Sequence, residues 1–467
     1  MVTVSLRPYH KDLTLEAPKQ SGVDRMINNP DTMTIDDLMK AVVAMGASVG
    51  RIAARLLLCT AATAFGGATQ TLQPRITVDC AYPGGNVRVL GVDETNGVVR
   101  VAPDLRDTAY HWFHFDFTVR GAEGRKLRFE FPHNGELYLA SLGPAVRSGD
   151  GAWRWLNADG RRHEPADAFD YTFGPDERVV RFAMSFPYVQ RDWDRFVAPW
   201  RNRPDVRFET LCKSQGGTRD VELVRLPCRG KADWVFAFTA RHHACETTGD
   251  AVMEGVLAAA LADTAEARWA REHAECLFVP FMDKDGVEAG DQGKGRSPWD
   301  HNGDYLQERY ATVRAFKRLL VRESEGKRIV FVDLHAPYVR SSPGQEWHDH
   351  VHCYGASRPE HQAHLREFCA RLRRLTADGA IAYSGKYDVG PGHPVWTSLE
   401  ASWANGRMGA DPWVRTLPNA HLATCFEFGY SLCDGITTFP ALREFGARIF
   451  RAAAGVGKGE GPRVRVY

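Results

Sequence analysis

The stretch Trp234-Val235-Phe236-Ala237-Phe238-Thr239-Ala240-Arg241-His242-His243-Ala244-Cys245-Glu246 passes from an unbroken apolar run into two adjacent histidines and a carboxylate. The run WVFAFT lacks the period-two alternation of a half-exposed strand, so it reads as a strand covered on both faces, as in the middle of a parallel sheet. After it, Met253, Val256, Leu257, Ala260 and Leu261 fall at helical spacing. His243 and Glu246 therefore stand at the carboxyl end of a buried strand and just ahead of a helix. In open α/β sheets that is where ligands bind.

His-x-x-Glu is a weak motif on its own, and the chain contains three. His133 and Glu136 belong to a Pro-His-Asn-Gly turn among alternating strands, and His364 and Glu367 share the polar face of a surface helix. A catalytic zinc site needs more than a pair: three protein ligands, with a position left open for water. The third comes from Ile329-Val330-Phe331-Val332-Asp333-Leu334, a second buried run that delivers His335 at its own carboxyl end. Two strand ends of one parallel sheet can converge on a point, so His243, Glu246 and His335 are the expected zinc ligands. His242 competes with His243 but lacks the i, i+3 spacing to Glu246.

Hydrolysis at such a metal also needs a carboxylate that is not a ligand, to take a proton from the attacking water and return it to the leaving amine. Glu427 is a lone acid among apolar residues in Ala423-Thr424-Cys425-Phe426-Glu427-Phe428-Gly429. Burying an unpaired carboxylate is costly, so such a residue has a function or a salt-bridge partner. Glu400, between Leu399 and Ala401 in a more polar setting, is its rival.

Further apolar runs at 276–282 and 422–428 alternate with helical patterns in Leu306, Tyr310, Val313 and Leu320, then in Leu365, Phe368, Leu372 and Leu375. This order predicts an α/β catalytic domain over 208–455, with a mixed, mainly parallel sheet flanked by helices. Upstream the texture differs. Phe113, Phe115, Phe117 and Val119 alternate with His114, Asp116 and Thr118, and Leu127, Phe129 and Phe131 alternate with Lys126, Arg128 and Glu130. Val180, Phe182, Met184 and Phe186 repeat the pattern. Half-buried strands in an antiparallel β-sandwich are expected over 76–190, followed by a linker at 191–207. Residues 1–75 read as an N-terminal extension with weak or peripheral structure, and 456–467 as a C-terminal tail.

Lys+Arg total 59 against Asp+Glu 58, which leaves no basic field to attract nucleic acid or anionic lipid, and no apolar run reaches the length of a membrane span. The cysteines form no CxxC pair, and several lie in strand-like runs, as buried thiols of a reducing, cytoplasmic compartment do. Against this, RIAARLLLCTAATAFGGA at 51–68 has the basic, apolar and small-residue order of a signal peptide. It would export the protein if translation began at Met45; otherwise it reads as an amphipathic helix within the extension.

Several segments follow one another in a telling order: Ala109-Tyr110-His111-Trp112-Phe113-His114-Phe115, Leu211-Cys212-Lys213-Ser214-Gln215-Gly216-Gly217, and Ala240-Arg241-His242-His243-Ala244-Cys245-Glu246-Thr247. Val279-Pro280-Phe281-Met282-Asp283-Lys284-Asp285-Gly286-Val287, Asp333-Leu334-His335 and Phe426-Glu427-Phe428 continue it. Together they resemble the cytosolic carboxypeptidases, the branch of the zinc metallocarboxypeptidases (funnelins) with a β-sandwich before the catalytic domain. The matching family segments are its Trp-Phe-Tyr-Phe strand, the catalytic-domain entry, Ala-Arg-x-His-Pro-x-Glu-x, Val-Pro-x-x-Asn-Pro-Asp-Gly-Val, Asp-x-His and the Leu-Glu of the catalytic acid. The resemblance implies Zn2+ on His243, Glu246 and His335, catalysis by Glu427, and a peptide or protein C-terminus as substrate.

The departures concern substrate. Counting without gaps from Asp285-Gly286-Val287, the family's carbonyl-polarising arginine falls on Gly293, and the arginine of its Asp-Leu-Asn-Arg falls on Gly303 in Asp300-His301-Asn302-Gly303. Asn302 is kept. Lys294 or Arg296 is expected to restore the oxyanion cation. Arg407, in Asn405-Gly406-Arg407, is similar to the family's late Thr-Gly-Arg and is expected to hold a carboxylate with Asn302. The leading function is zinc-dependent hydrolysis of an amide bond near a peptide C-terminus. The two glycines favour, as an alternative, a zinc amidase or esterase that needs no free carboxylate. A non-catalytic binding protein with a vestigial site is the third reading, and a buried Glu427 argues against it.

Overall fold

A computed structural model describes residues 75–132, 135–393, 395–398 and 405–459. The strands of the first part are β1 (Thr77–Asp79), β2 (Arg88–Asp93), β3 (Val98–Ala102), β4 (Asp116–Arg120), β5 (Lys126–Glu130), β6 (Ala145–Ser148), β7 (Arg154–Trp155), β8 (Ala168–Thr172) and β9 (Val179–Ala183), the three period-two segments giving β4, β5 and β9. They form a five-stranded sheet, β1-β4-β9-β6-β7, and a four-stranded sheet, β2-β3-β5-β8. Phe115, Phe117, Leu127, Phe129, Val180 and Phe182 meet in one apolar core, as alternation requires.

Two expectations need correction. The pairing is not wholly antiparallel, because β3 and β5 run parallel from Val98↔Arg128 to Arg100↔Glu130. Nor is β4 half exposed: Asp116 is fully buried and takes a hydrogen bond from Arg181 Nε at 2.6 Å. The Arg181 guanidinium lies over the rings of Tyr82 and Trp153, which cover that face. An acid at a polar position of the alternation looks the same in sequence whether water or an arginine satisfies it.

The span read as a linker holds helix α1 (Gln190–Val197), whose Trp193 and Val197 join the core of the second part. There follow β10 (Arg207–Lys213), β11 (Asp220–Leu226), β12 (Trp234–Ala240), α2 (Thr248–Leu261), α3 (Ala265–His273), β13 (Ala274–Val279), α4 (Lys284–Ala289), α5 (Ala311–Glu323) and β14 (Arg328–His335). After these come β15 (His352–Cys353), α6 (Pro359–Thr376), α7 (Ala410–Val414), β16 (Ala420–Glu427) and α8 (Phe439–Gly457). The strands make a mixed sheet ordered β10-β11-β13-β12-β14-β16-β15. Its four central strands are parallel and the flanking ones antiparallel.

Every residue of β12 is buried. Phe236 and Phe238 face one core with α2, α6 and α8, while Val235 and Ala237 face another with α5 and α7. Helices thus cover both faces, the reason the strand carries no polar alternation. Helices α2 and α8 approach closely through glycines: a Cβ on Gly446 would lie 2.0 Å from the Val252 carbonyl oxygen, and one on Gly255 2.0 Å from that of Arg443. One helical expectation started too early. Leu306 is 47% exposed, Glu308 has φ +55°, and the helix begins only after Tyr310, so the apolar spacing there was coincidental.

The register levels the strand ends. Thr239 pairs with Asp333 and Ala240 with Leu334, while His335 pairs with Glu427. The chain just past β14 and β16 then enters the core of the first two sheets, through Ala336, Val339 and Tyr430. The nine described cysteines are all free. Among the described residues no helix is long and apolar enough to cross a membrane. The signal-like segment 51–68 with Met45, the rival Glu400, and His133 lie outside the described residues.

Candidate metal centre

The turn after β12 is held by Arg241, a non-glycine residue at φ +59°. Its buried guanidinium donates to the carbonyls of Tyr188 and Ala244 and to Asp250. These bonds hold the left-handed conformation against its cost of order 1–3 kcal/mol. The turn presents His243 and Glu246 to the end of β14. There His243 Nδ1 lies 2.9 Å from Glu246 Oε1, His335 Nδ1 lies 2.7 Å from Glu246 Oε2, and the two imidazole nitrogens are 3.2 Å apart.

This donor set fits a zinc ion. Bonds of about 2.0–2.1 Å at tetrahedral angles place donor atoms about 3.4 Å apart, close to the 2.7–3.2 Å spacing of these groups. Two facing imidazole nitrogens share one proton at best, whereas a common cation satisfies both. Two histidines and a glutamate also match the ligand chemistry of an open, hydrolytic zinc site.

The far nitrogens of both histidines meet carboxylates. Asp333 Oδ2 lies 2.8 Å from His335 Nε2, and Asp300 Oδ1 lies 3.4 Å from His243 Nε2. Such partners fix the tautomer and raise the basicity of a ligating imidazole. Burial alone would raise the pKa of both aspartates, but the adjoining histidines outweigh it and hold both carboxyls well below the usual range. His242 does not face Glu246: its Nδ1 lies 2.9 Å from Asp333 Oδ1 and its Nε2 2.8 Å from the Tyr305 hydroxyl, so it groups with Asp333 on the far side of His335. Asp333 had a signal in the sequence, since it is two residues before His335 and shares its face of the strand. Asp300, which caps the 3-10 turn His301–Gly303, was marked in the sequence only as the first residue of Asp300-His301-Asn302-Gly303, with nothing to pair it with His243.

Glu427 is buried, and its Oε2 has no hydrogen-bond partner among the described residues. A carboxylate oxygen of Glu427 lies within 4.8 Å of a ring nitrogen of His335. Burial raises its pKa, and the opposing charge of Lys294 does not cancel the effect. Lys294 Nζ lies 2.7 Å from Glu246 Oε1. Desolvation would favour the neutral amine, yet Glu246 and Glu427 override it and keep Lys294 firmly protonated.

Arg296 is not brought to this place. Its guanidinium is engaged by Asp107 at 2.6 Å, Asp291 at 3.0 Å and Asp283. The preceding Gly293 explains how the loop comes so near: at φ +77°, it presses against the ligand turn so closely that a Cβ would lie 2.1 Å from the Ala244 nitrogen.

His243, Lys294, Glu427, Asn302, Gly303 and Arg407 line one pocket of about 250 Å³. A Cβ on Gly303 would lie 2.8 Å from Arg407 Nε and 2.9 Å from its Cγ, so the Arg407 side chain rests on the bare glycine. Arg407 Nη2 also donates to Asp300 Oδ2 at 2.8 Å. Asn302 Oδ1 accepts from Ala410 N at 3.1 Å, and its NH2 group makes no hydrogen bond among the described residues. The pocket contains, in addition, Tyr354 and the ion pair of Arg415 with Asp411 at 2.7 Å, which sequence reasoning missed. Their neighbours in the chain carry no motif that marks them.

No protein-family model matches the chain. Among curated proteins it is similar to cytosolic carboxypeptidase 2 of Xenopus tropicalis, 24% identical over 316 residues, covering 60% of this chain and 31% of that protein. It is also similar to cytosolic carboxypeptidase 6 of Mus musculus, 22% identical over 294 residues, covering 57% of this chain and 54% of that one. The chain thus spans about a third to a half of the length of these relatives. Among solved structures, a metallo-carboxypeptidase from Burkholderia cenocepacia superposes with a TM-score of 0.65 at 14% identity, covering 83% of this chain and 100% of that one. A metallo-carboxypeptidase from Pseudomonas aeruginosa, solved with (2-guanidinoethylmercapto)succinic acid, gives 0.63 at 20% identity, covering 82% and 99%. The fold is that of the metallo-carboxypeptidases, and the relatives are those the sequence resemblance pointed to.

Proposed function

We propose that this chain is a zinc-dependent metallocarboxypeptidase that hydrolyses the amide bond next to the C-terminus of a peptide or protein. The observation that carries the reading is a single pocket lined by His243, the outermost member of the His243, Glu246 and His335 donor set, by Glu427 with its unpaired Oε2, and by Arg407 lying on Gly303. A zinc ion on those three residues supplies Lewis acidity and a water of lowered pKa. Glu427, made more basic by burial, takes the proton of the attacking water and hands it to the departing amine. Lys294 provides a fixed positive charge for the oxygen of the scissile carbonyl as charge builds there. Asn302 and Arg407 grip the terminal carboxylate and set the depth of the chain in the pocket. Asp300 joins the two ends, since one oxygen faces His243 and the other Arg407.

We assign 76–190 to a β-sandwich domain and 208–455 to the catalytic domain. A cytoplasmic location is supported by the names of the relatives and by the free thiols. The deciding experiment compares a peptide with its C-terminal amide. Arg407→Ala is expected to raise KM for the free acid by roughly tenfold or more, the scale of a lost charge-assisted bond, and to leave the amide nearly unchanged. Equal effects on both would transfer support to an amidase without carboxylate recognition.

A further inference from the structure

We infer that Trp112, carried by the first pair of sheets, is a positioning residue that sets the place of the Lys294 ammonium. The inference rests on the reading of Lys294 as the cation that polarises the carbonyl. Lys294 stands between Gly293 and Gly295, both at positive φ, +77° and +63°. Glycines leave the backbone unconstrained, and a lysine side chain has many rotamers to lose. Nothing within Gly293-Lys294-Gly295 itself can fix the ammonium, so the constraint must come from outside.

It comes from Glu246, whose Oε1 lies 2.7 Å from Nζ, and from residues 108–114, which hold the segment and the stem of the side chain. Thr108 Oγ1 donates to the Lys294 carbonyl at 2.9 Å, and Ala109 N donates to the Gly295 carbonyl at 3.1 Å. Gln292 brackets His114, accepting from its N at 2.7 Å and donating to its carbonyl at 2.9 Å. With the backbone tied at these points, the Trp112 indole lies under the side chain, its ring centroid 5.2 Å from Lys294 Nζ. The same indole donates from Nε1 to Cys245 Sγ at 3.3 Å, and Cys245 stands between the ligands His243 and Glu246 in the chain. One aromatic plate thereby references the cation to the ligand turn. Cation–π attraction favours the charge over the ring face, and displacement by about 1 Å is enough to cost roughly a hundredfold in rate.

The test is a cycle on the zinc-loaded full chain, with kcat, KM, zinc content and affinity for a phosphonate peptide that mimics the tetrahedral state. Trp112→Leu should lower kcat by roughly tenfold to a hundredfold and weaken the phosphonate in parallel, with zinc content retained and KM shifted by less than about twofold. Trp112→Phe, which keeps a ring face, should recover most of the loss. In a Lys294→Met background, Trp112→Leu should add no further loss. Equal losses in both backgrounds would overturn the positioning role. If Lys294→Met alone left kcat intact, the assignment of Lys294 would fall and this inference with it. Thr108→Val, which removes one hydrogen bond to the lysine's carbonyl, supplies the same cycle should Trp112→Leu not fold.

Discussion

Glu427 holds a proton acceptor in a buried place with one oxygen unbonded, and that is useful only if a proton is to arrive. Glu427→Gln keeps the shape and removes the basicity. We expect it to retain one zinc per chain by metal analysis and to lose about two orders of magnitude in turnover; unchanged turnover would place the base elsewhere. The meeting of His243, Glu246 and His335 was legible in the sequence because apolar runs mark strand ends and two such ends lie side by side in the sheet. The choice between Lys294 and Arg296 was not legible. It depends on which acids each cation meets: Lys294 meets Glu246, whereas Arg296 is taken by Asp107, 189 residues away in the chain. The packing at position 303 was equally hidden: the Arg407 side chain, more than a hundred residues on, rests where the glycine leaves space.

Among the elements, α2 and α8 carry a tight constraint. Their axes approach closely only because Gly255 and Gly446 lack side chains, and each Cβ would strike a carbonyl oxygen at 2.0 Å. Gly446→Ala is therefore expected to destabilise the fold by about 1–3 kcal/mol, the usual cost of overpacking. Chemical denaturation would measure it, and an unchanged midpoint would mean that the helices separate freely. Helix α2 was readable from Met253, Val256 and Leu257 although Thr248 to Leu257 are all buried, because Leu257 runs on into Ala258-Ala259-Ala260-Leu261, residues of high helix propensity. The start of α5 was not, since Leu306 mimics the period while the backbone at Glu308 turns left-handed. Strand β4 concealed its buried Asp116 for a related reason, as pattern reports polarity and not the partner that neutralises it.

For the molecule as a whole, acid acts on the fold through its buried histidines. His114, His348 and His352 are buried, and burial lowers their pKa to about 3, about 4 and about 3 respectively. Above their ordinary value of about 6.5, both folded and unfolded chains hold them neutral, and they contribute nothing to the pH dependence. As pH falls below that value the unfolded chain takes up protons that the fold refuses, so stability drops, by on the order of 1 kcal/mol per pH unit for each group. We expect the Tm of the metal-free protein to fall steeply between about pH 6.5 and pH 4; a flat profile would show that these rings protonate within the fold. The shared apolar core adds a different consequence. Tyr430 lies three residues beyond Glu427 yet packs among the phenylalanines of the first two sheets, with its ring 5.7 Å from that of Phe113. Variation in that β-rich half is then not silent for chemistry, and across evolution its aromatic positions should covary with the strand that carries the base, so that neither half can be exchanged between relatives without the other.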